Sequence, residues 1–274
     1  MATATFRFAA QAVPYDGAAW LGTATRAEEL GYSTLLMPDG MQLLSPLPAL
    51  ALAAGATTSL RVGTFVLASP LRAPRLAAWD AHTLSLLTGG RFELGIGTGR
   101  PEVDEESVRL LGQPPTTGAR RLAMVEQTID ELRLLDGERH TPVLMAVAGP
   151  RARAVAAAKA DIVTLAVGPL ASREDVGRLI AQVRAAAGER ASRIEFAMPI
   201  FVVGDEVPAQ MRRFLQTDMD TMIARDSLLI LRGTPQQMAD ELQRRRDTLG
   251  ISYLSVNAAF IEPFASVVEL LAGR

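Results

Sequence analysis

A single closed (β/α)8 barrel, a TIM barrel, is the fold this sequence predicts, and three observations carry the prediction. Eight short apolar runs alternate with segments of helical periodicity along 274 residues. Strands joined by helical crossovers pair in parallel, and eight such units point to a closed barrel. No stretch rich in Pro, Gly or Ser divides the chain, so residues 1–274 read as one domain of the α/β class. The runner-up, an open doubly wound sheet, lacks its usual glycine fingerprint after the first strand.

Each unit has its own signals. Residues 6–12 are a short apolar run and form the first strand, followed by a Pro-Tyr-Asp-Gly loop. Residues 18–30 place Trp20, Leu21, Ala24, Ala27 and Leu30 at helical spacing, and Gly31 ends that helix. Residues 33–38 form the second strand, closed by Pro38-Asp39-Gly40. Residues 46–56 read as a helix with proline near its start. The third strand covers 61–68, a loop covers 69–73, and the helix 74–87 is broken by Gly89-Gly90. The fourth strand, 92–96, leaves through Gly97-Thr98-Gly99.

Beyond Thr98 the pattern changes. Residues 101–118 are acidic, then rich in Pro, Thr and Gly, and read as a short helix and an excursion over the barrel mouth. A strongly periodic helix spans 119–135. Strand 142–147 turns through Ala148-Gly149-Pro150 into the alanine-rich helix 151–159. Strand 161–166, helix 172–187 and strand 194–203 follow. Helices are expected over 208–225 and 235–249, the second with Arg244, Arg245 and Arg246 on a solvated face. Strand 251–256 and helix 263–271 end the series.

Composition narrows the function. The chain is 49% hydrophobic and 21% charged, enough to fill a large core. A net charge of −2 without a long basic run argues against nucleic acid as a partner. The absence of cysteine removes disulfide and thiol chemistry. The two histidines, His82 and His140, lack metal-ligand spacing. No signal-peptide pattern and no uninterrupted apolar stretch of membrane-spanning length are present, so a cytoplasmic protein without membrane contact is expected.

In a barrel, function gathers at the C-terminal strand ends. The polar residues predicted there are Gln11, Asp39, Ser69, Arg72, Thr98, Arg100, Thr164 and Asn257. The stretch Gly-Gly-Arg-Phe-Glu-Leu-Gly-Ile-Gly-Thr-Gly-Arg (89–100) stands out among them. Its alternate glycines Gly95, Gly97 and Gly99 weaken a strand but let a planar ligand approach the backbone; a strand ending in a flexible turn is the bland alternative. At Ala148-Gly149-Pro150-Arg151, unpaired amides at a helix start favour an anion, with Arg151 and Arg153 adding charge. A plain glycine turn with proline at the helix start explains that segment equally well.

Leu-Leu-Thr-Gly-Gly-Arg-Phe-Glu-Leu-Gly-Ile-Gly-Thr-Gly (86–99) resembles the fourth-strand signature of the bacterial luciferase-like monooxygenase superfamily. Val-Leu-Ala-Ser-Pro-Leu-Arg-Ala-Pro (66–74) is similar to the segment that precedes it, Ala-Gly-Pro-Arg (148–151) to the fifth strand-to-helix turn, and Gly-Thr-Pro-Gln-Gln-Met-Ala-Asp-Glu-Leu with Gly-Ile-Ser-Tyr-Leu to the usual tail. The resemblance spans nearly the whole chain and is nearest the branch that uses coenzyme F420, an 8-hydroxy-5-deazaflavin; FMN is the alternative cofactor. It implies Asp39 beside the ring, Val66, Leu67, Thr98 and Gly99 against the cofactor, and its phosphate at Ala148, Gly149, Pro150 and Arg151. It also implies a bulge, often with a non-prolyl cis peptide, near Phe65–Leu67, and a homodimer paired through the Ala- and Leu-rich helices 18–30, 46–57 and 74–87.

The departures from that branch bear on the reaction. Its sugar-phosphate dehydrogenases carry a histidine after the second-strand aspartate and a glutamate after the Thr-Gly of the fourth strand. Those positions hold Gly40 and Arg100 here, so sugar-phosphate oxidation is not expected. What remains is an oxidoreductase acting on an activated C=C, C=N or C=O bond of a small molecule, with Tyr15, Asp16 or water as proton source. Asp39 and Arg100 are the candidate catalytic residues. Asp39 can alternatively cap the Gly40-Met41 turn, and Arg100 can alternatively pair at the surface with Glu102 or Asp104. The other classes left open are an FMN-dependent monooxygenase of the same fold and a fold relative that has lost redox chemistry.

Overall fold

The computed structural model describes residues 4–208, 211 and 215–274. Eight parallel strand positions close on themselves. They are β1 (Arg7–Gln11), β2 (Thr34–Met37), β3 (Arg61–Thr64) continued by β4 (Leu67–Ala68), β5 (Phe92–Gly97), β6 (Val143–Val147), β7 (Ile162–Leu165), β8 (Glu195–Ile200) and a late strand Ile251–Asn257. The late strand sits between β1 and β8, and β3 meets β5 to close the ring. Residues Val202–Val203 (β9) and Ile230–Leu231 (β10) form a separate parallel pair above β8, which makes Ile251–Asn257 β11.

Helices cover the outside: α1 (Gly17–Glu29), α2 (Pro46–Gly55), α3 (Pro74–Leu87), α4 (Pro101–Leu111), α5 (Gly118–Asp136), α6 (Pro150–Lys159), α7 (Arg173–Ala187), α8 (Met219–Ala224), α9 (Pro235–Leu249) and α10 (Ile261–Leu271). Local chemistry sets their starts. Asp16 accepts from the Ala19 amide at the head of α1, and Ser172 and Thr234 form capping boxes with Asp175 and Gln237. None of the described helices is long and apolar enough to cross a membrane.

Strand alternation sorts the apolar residues into two cores. Outward-facing Phe8, Leu35, Val62, Leu94, Met145 and Val163 pack under the helices. The barrel interior holds Ala9, Leu36, Leu144, Ile162, Ala197 and Tyr253, with Phe65 and Val66 against them. Below this layer, at the strand starts, Glu93 is buried and accepts from Arg7 Nη1 (2.5 Å), Arg61 Nε (2.7 Å) and the Tyr253 hydroxyl (3.2 Å). Arg7 also donates to Glu195 and lies 3.7 Å over the Tyr253 ring. This network stoppers the N-terminal end of the barrel with paired charge.

The third strand breaks at a cis Phe65–Val66 peptide, where the resemblance implied a bulge of that kind, and β4 resumes the pairing with β5. Three expectations need correction. The seventh strand splits at Phe201, because the Phe201 and Val202 amides both turn to the Leu229 carbonyl. The single helix expected over 208–225 does not form across 216–218: Gln216 has φ 50° and Asp218 caps α8, while 209–210 and 212–214 lie outside the described residues. Arg245 is not solvated either. It is 3% exposed and donates to the Leu228 and Ile230 carbonyls and to Glu241. Arg246 lies over the Phe6 ring, and Arg244 alone of the three matches the expectation of an exposed side chain.

Candidate active site

One step up each strand from the interior core lies the layer that floors the mouth. Alternation places Gln11, Gly97, Ala146, Thr164, Pro199 and Ser255 in it. All but Gln11 are small, so their side chains take up little of the space above the floor. Gln11 Nε2 donates to Ser255 Oγ at 2.6 Å. The Thr164 hydroxyl is buried and has no hydrogen-bond partner in the protein.

The wall on the β3–β5 side is built by close approach of two backbones. A Cβ on Gly95 would stand 1.8 Å from the Thr64 carbonyl oxygen, and Thr64 Oγ1 donates to the Gly95 carbonyl at 2.6 Å. A Cβ on Gly97 would lie 2.9 Å from Val66 Cγ2. The alternate glycines therefore admit the neighbouring strand's bulge; at Gly95 the expected planar ligand is replaced by that backbone. Gly99 has φ +70°, the left-handed conformation that turns the chain from β5 toward α4.

Asp39 fastens this wall. Its carboxylate is buried and accepts from the Ala68 amide (3.0 Å) and from both terminal nitrogens of Arg72. It makes no hydrogen bond to Gly40 or Met41, so the turn-capping alternative is not the one adopted. Val66 is half-buried at the top of the interior, whereas the Leu67 side chain faces the outer core and offers the mouth only its backbone. Thr98 is half-buried beside Gly99.

The opposite side presents a helix start. Gly149 precedes α6 with φ −84°, no side chain caps the helix, and Ala148, Gly149, Pro150 and Arg151 are all exposed. Nothing lies within 4 Å of a Cβ built on Gly149, so the space above the turn is open. Arg153 Nη1 donates to the Ala148 carbonyl, which braces the turn. Arg151 makes no ion pair among the described residues.

The family model for luciferase-like monooxygenases matches residues 3–227. The chain belongs to that family. Among curated relatives, a 4-hydroxyprotoasukamycin monooxygenase from Streptomyces nodosus subsp. asukaensis is 39% identical over 120 residues, 43% of this chain and 28% of the relative. The chain spans half the length or less of the curated relatives it matches. Among solved structures, an F420-dependent secondary alcohol dehydrogenase bound to an F420–acetone adduct superposes with a TM-score of 0.77 at 16% identity, over 98% of each chain. A riboflavin lyase holding a modified FMN and riboflavin gives 0.74 at 13%, over 97% of this chain and 92% of that one. These similarities show the luciferase-like barrel.

Within the luciferase-like mouth, the eight polar candidates have separate fates. Asp39 and Arg72 come together, and Gln11 finds Ser255, a residue not anticipated. Ser69 donates to the Arg121 carbonyl and Asn257 caps the following turn at Ala259, so both do structural duty. Arg100 is exposed at the start of α4 without the expected ion pair; Asp104 instead faces Thr116 and Arg121. Asp16 is engaged in capping α1, and Tyr15 is 92% exposed. His82 and His140 pair with Asp136 and Asp161 away from the mouth. No described group of residues could hold a metal ion.

Proposed function

We propose that this luciferase-like protein is an F420-dependent oxidoreductase that exchanges hydride with an activated C=C, C=N or C=O bond of a small organic molecule. One observation carries the reading. The same face of the barrel combines a floor of small residues with an open, uncapped helix start. A flat heteroaromatic ring fits the first and a phosphate fits the second. The residues present suit such a group: Val66, Thr98 and Gly99 on the wall, Asp39 behind it, and Gly149 to Arg151 at the anion end.

When bound, a reduced deazaflavin supplies hydride in two-electron steps. The chain supplies position and charge. Asp39 and Arg72 fix the wall, and the amides at the α6 start with Arg151 hold the anion. Arg100, without an ion pair among the described residues, is available to a substrate carboxylate or carbonyl. With Asp16 engaged as a cap, Tyr15 or water delivers the proton. Gly40 and Arg100 stand where sugar-phosphate dehydrogenases carry their acid and base, so the substrate lies outside that class. We further propose a homodimer through α1–α3, where Leu52, Leu76, Trp79 and Leu87 are half or more exposed.

The test is titration of the purified protein with F420 and with FMN, followed by absorbance and fluorescence. Saturable F420 binding weakened about tenfold by Arg151→Ala, a loss of about 1–3 kcal/mol for one charge-assisted bond, is expected. Tight FMN binding without F420 binding would turn the assignment to a flavin monooxygenase. Binding of neither would leave a barrel without redox chemistry.

A further inference from the structure

Thr164 is the one residue of the mouth floor whose buried polar atom is left without a protein partner. It is 3% exposed, and its Oγ1 has no hydrogen-bond partner in the protein. Buried hydroxyls are normally satisfied, and an unpaired one is a net penalty to the fold. The neighbours explain why none is found. In register, Thr164 stands between Ala146 on β6 and Ala197 on β8, whose side chains have no polar atom. Pro199, one step higher on β8, has no N–H to offer. Below Thr164 on β7 is Ile162, part of the apolar interior. These strand neighbours offer the hydroxyl no partner, and the layer above Thr164 on β7 is the mouth.

We propose that Thr164 is a binding residue for the ring that occupies the mouth: its hydroxyl, on rotation about χ1, hydrogen-bonds a polar edge of that heteroaromatic ring. The inference rests on the functional reading above, and it names a residue to which neither the motif resemblance nor the family match gives a role. The floor carries two further polar side chains, Gln11 and Ser255, which are bonded to each other at 2.6 Å. Thr164 is thus the polar side chain of the floor that makes no hydrogen bond in the protein, and a bound ring would meet it while covering small, apolar neighbours. A hydroxyl donates or accepts, so either a ring carbonyl or a ring N–H serves.

Thr164→Val replaces the hydroxyl by a methyl of nearly the same volume and separates this role from a structural one. Thermal melts of the unliganded variant are expected to match or exceed wild type, because an unsatisfied buried oxygen has been removed. The dissociation constants for F420 and FMN are measured on the same samples. The ring that wild type binds is expected to bind Thr164→Val about tenfold more weakly, with Thr164→Ser restoring most of the affinity. A lower melting temperature with undiminished affinity would overturn the proposal and assign the hydroxyl to a trapped water or another structural partner. Undiminished affinity with unchanged stability would overturn it as well. If wild type binds neither ring, the functional reading itself falls and this assignment with it. Wild-type binding that Thr164→Val leaves intact removes Thr164 alone.

Discussion

Asp39 offers the sharpest test of how the mouth is held together. Replacing it by alanine removes the acceptor of the Ala68 amide and of two Arg72 nitrogens in one step. The carboxylate is 2% exposed and the Arg72 side chain 21%, so the orphaned guanidinium can recover some hydration. Breaking a fully buried pair costs about 3–5 kcal/mol, and one net hydrogen bond to a charged group about 1.5–3. Partial exposure of Arg72 brings the sum to about 2–4 kcal/mol. For a chain of this size, that loss lowers the melting temperature by roughly 4–7 °C. Asp39→Asn retains an acceptor for Ala68 and loses the ion pair, so its shift is expected to be smaller.

The wall from Phe65 to Ala68 is tied to this anchor through the Ala68 amide, so the affinity for the proposed ring cofactor per folded molecule is expected to fall together with stability in Asp39→Ala. Melting curves and cofactor titrations on Asp39→Ala, Arg72→Ala and the double variant check both. Because the two residues share one network, their penalties are expected to be non-additive. Additive penalties, or a melting temperature unchanged in Asp39→Ala, would refute the anchoring role. Lost stability with intact affinity would uncouple the anchor from the mouth.

Other expectations follow from the same geometry. Gly95→Ala forces a methyl against the Thr64 carbonyl and is expected to destabilise by about 3 kcal/mol or more, read by denaturant unfolding, whereas Gly97→Ala meets only a side-chain methyl of Val66 and is milder. Desolvation pushes the Glu28 carboxyl up, but the Ser59 and Leu60 amides, the Ser59 hydroxyl and the Thr58 amide outweigh it and hold the group at about 2, below its ordinary 4.5. Its folded-state pKa is depressed, so its contribution is complete above pH 4.5 and is lost as pH falls toward 2. The gap in melting temperature between wild type and Glu28→Gln therefore closes over that window. Trp79→Glu, on the exposed apolar face of α3, is expected to give monomers at micromolar concentration while wild type sediments as a dimer; wild-type monomers would defeat the pairing proposal.

The barrel was legible because its signal is repetitive: eight apolar strands each followed by helical periodicity leave few other ways to bury so much apolar surface. Features set by contacts remote in sequence were not. The split at Phe201 depends on Leu229, and the burial of Arg245 depends on carbonyls 15 and 17 residues earlier. Arg7 and Glu93, 86 residues apart, read singly as ordinary charged residues flanking or interrupting apolar runs. The site was legible in part. Strand-end logic put Asp39, Arg72 and Thr164 at the barrel mouth, where the structure has them, but it missed that Gly95 makes room for the neighbouring strand and that Ser255 answers Gln11. A two-residue step from a known interior residue would have flagged Ser255; no local signal would have flagged the role of Gly95.

The charged stopper at the strand starts has a consequence for traffic. With Arg7, Glu93, Glu195, Arg61 and Tyr253 closing one end, the barrel has a single door. Whatever rests on the floor of Gln11, Ala146, Thr164 and Ser255 enters and leaves on the side away from that network. Entry and exit therefore share one opening, and the charge at the far end serves the fold instead of passage.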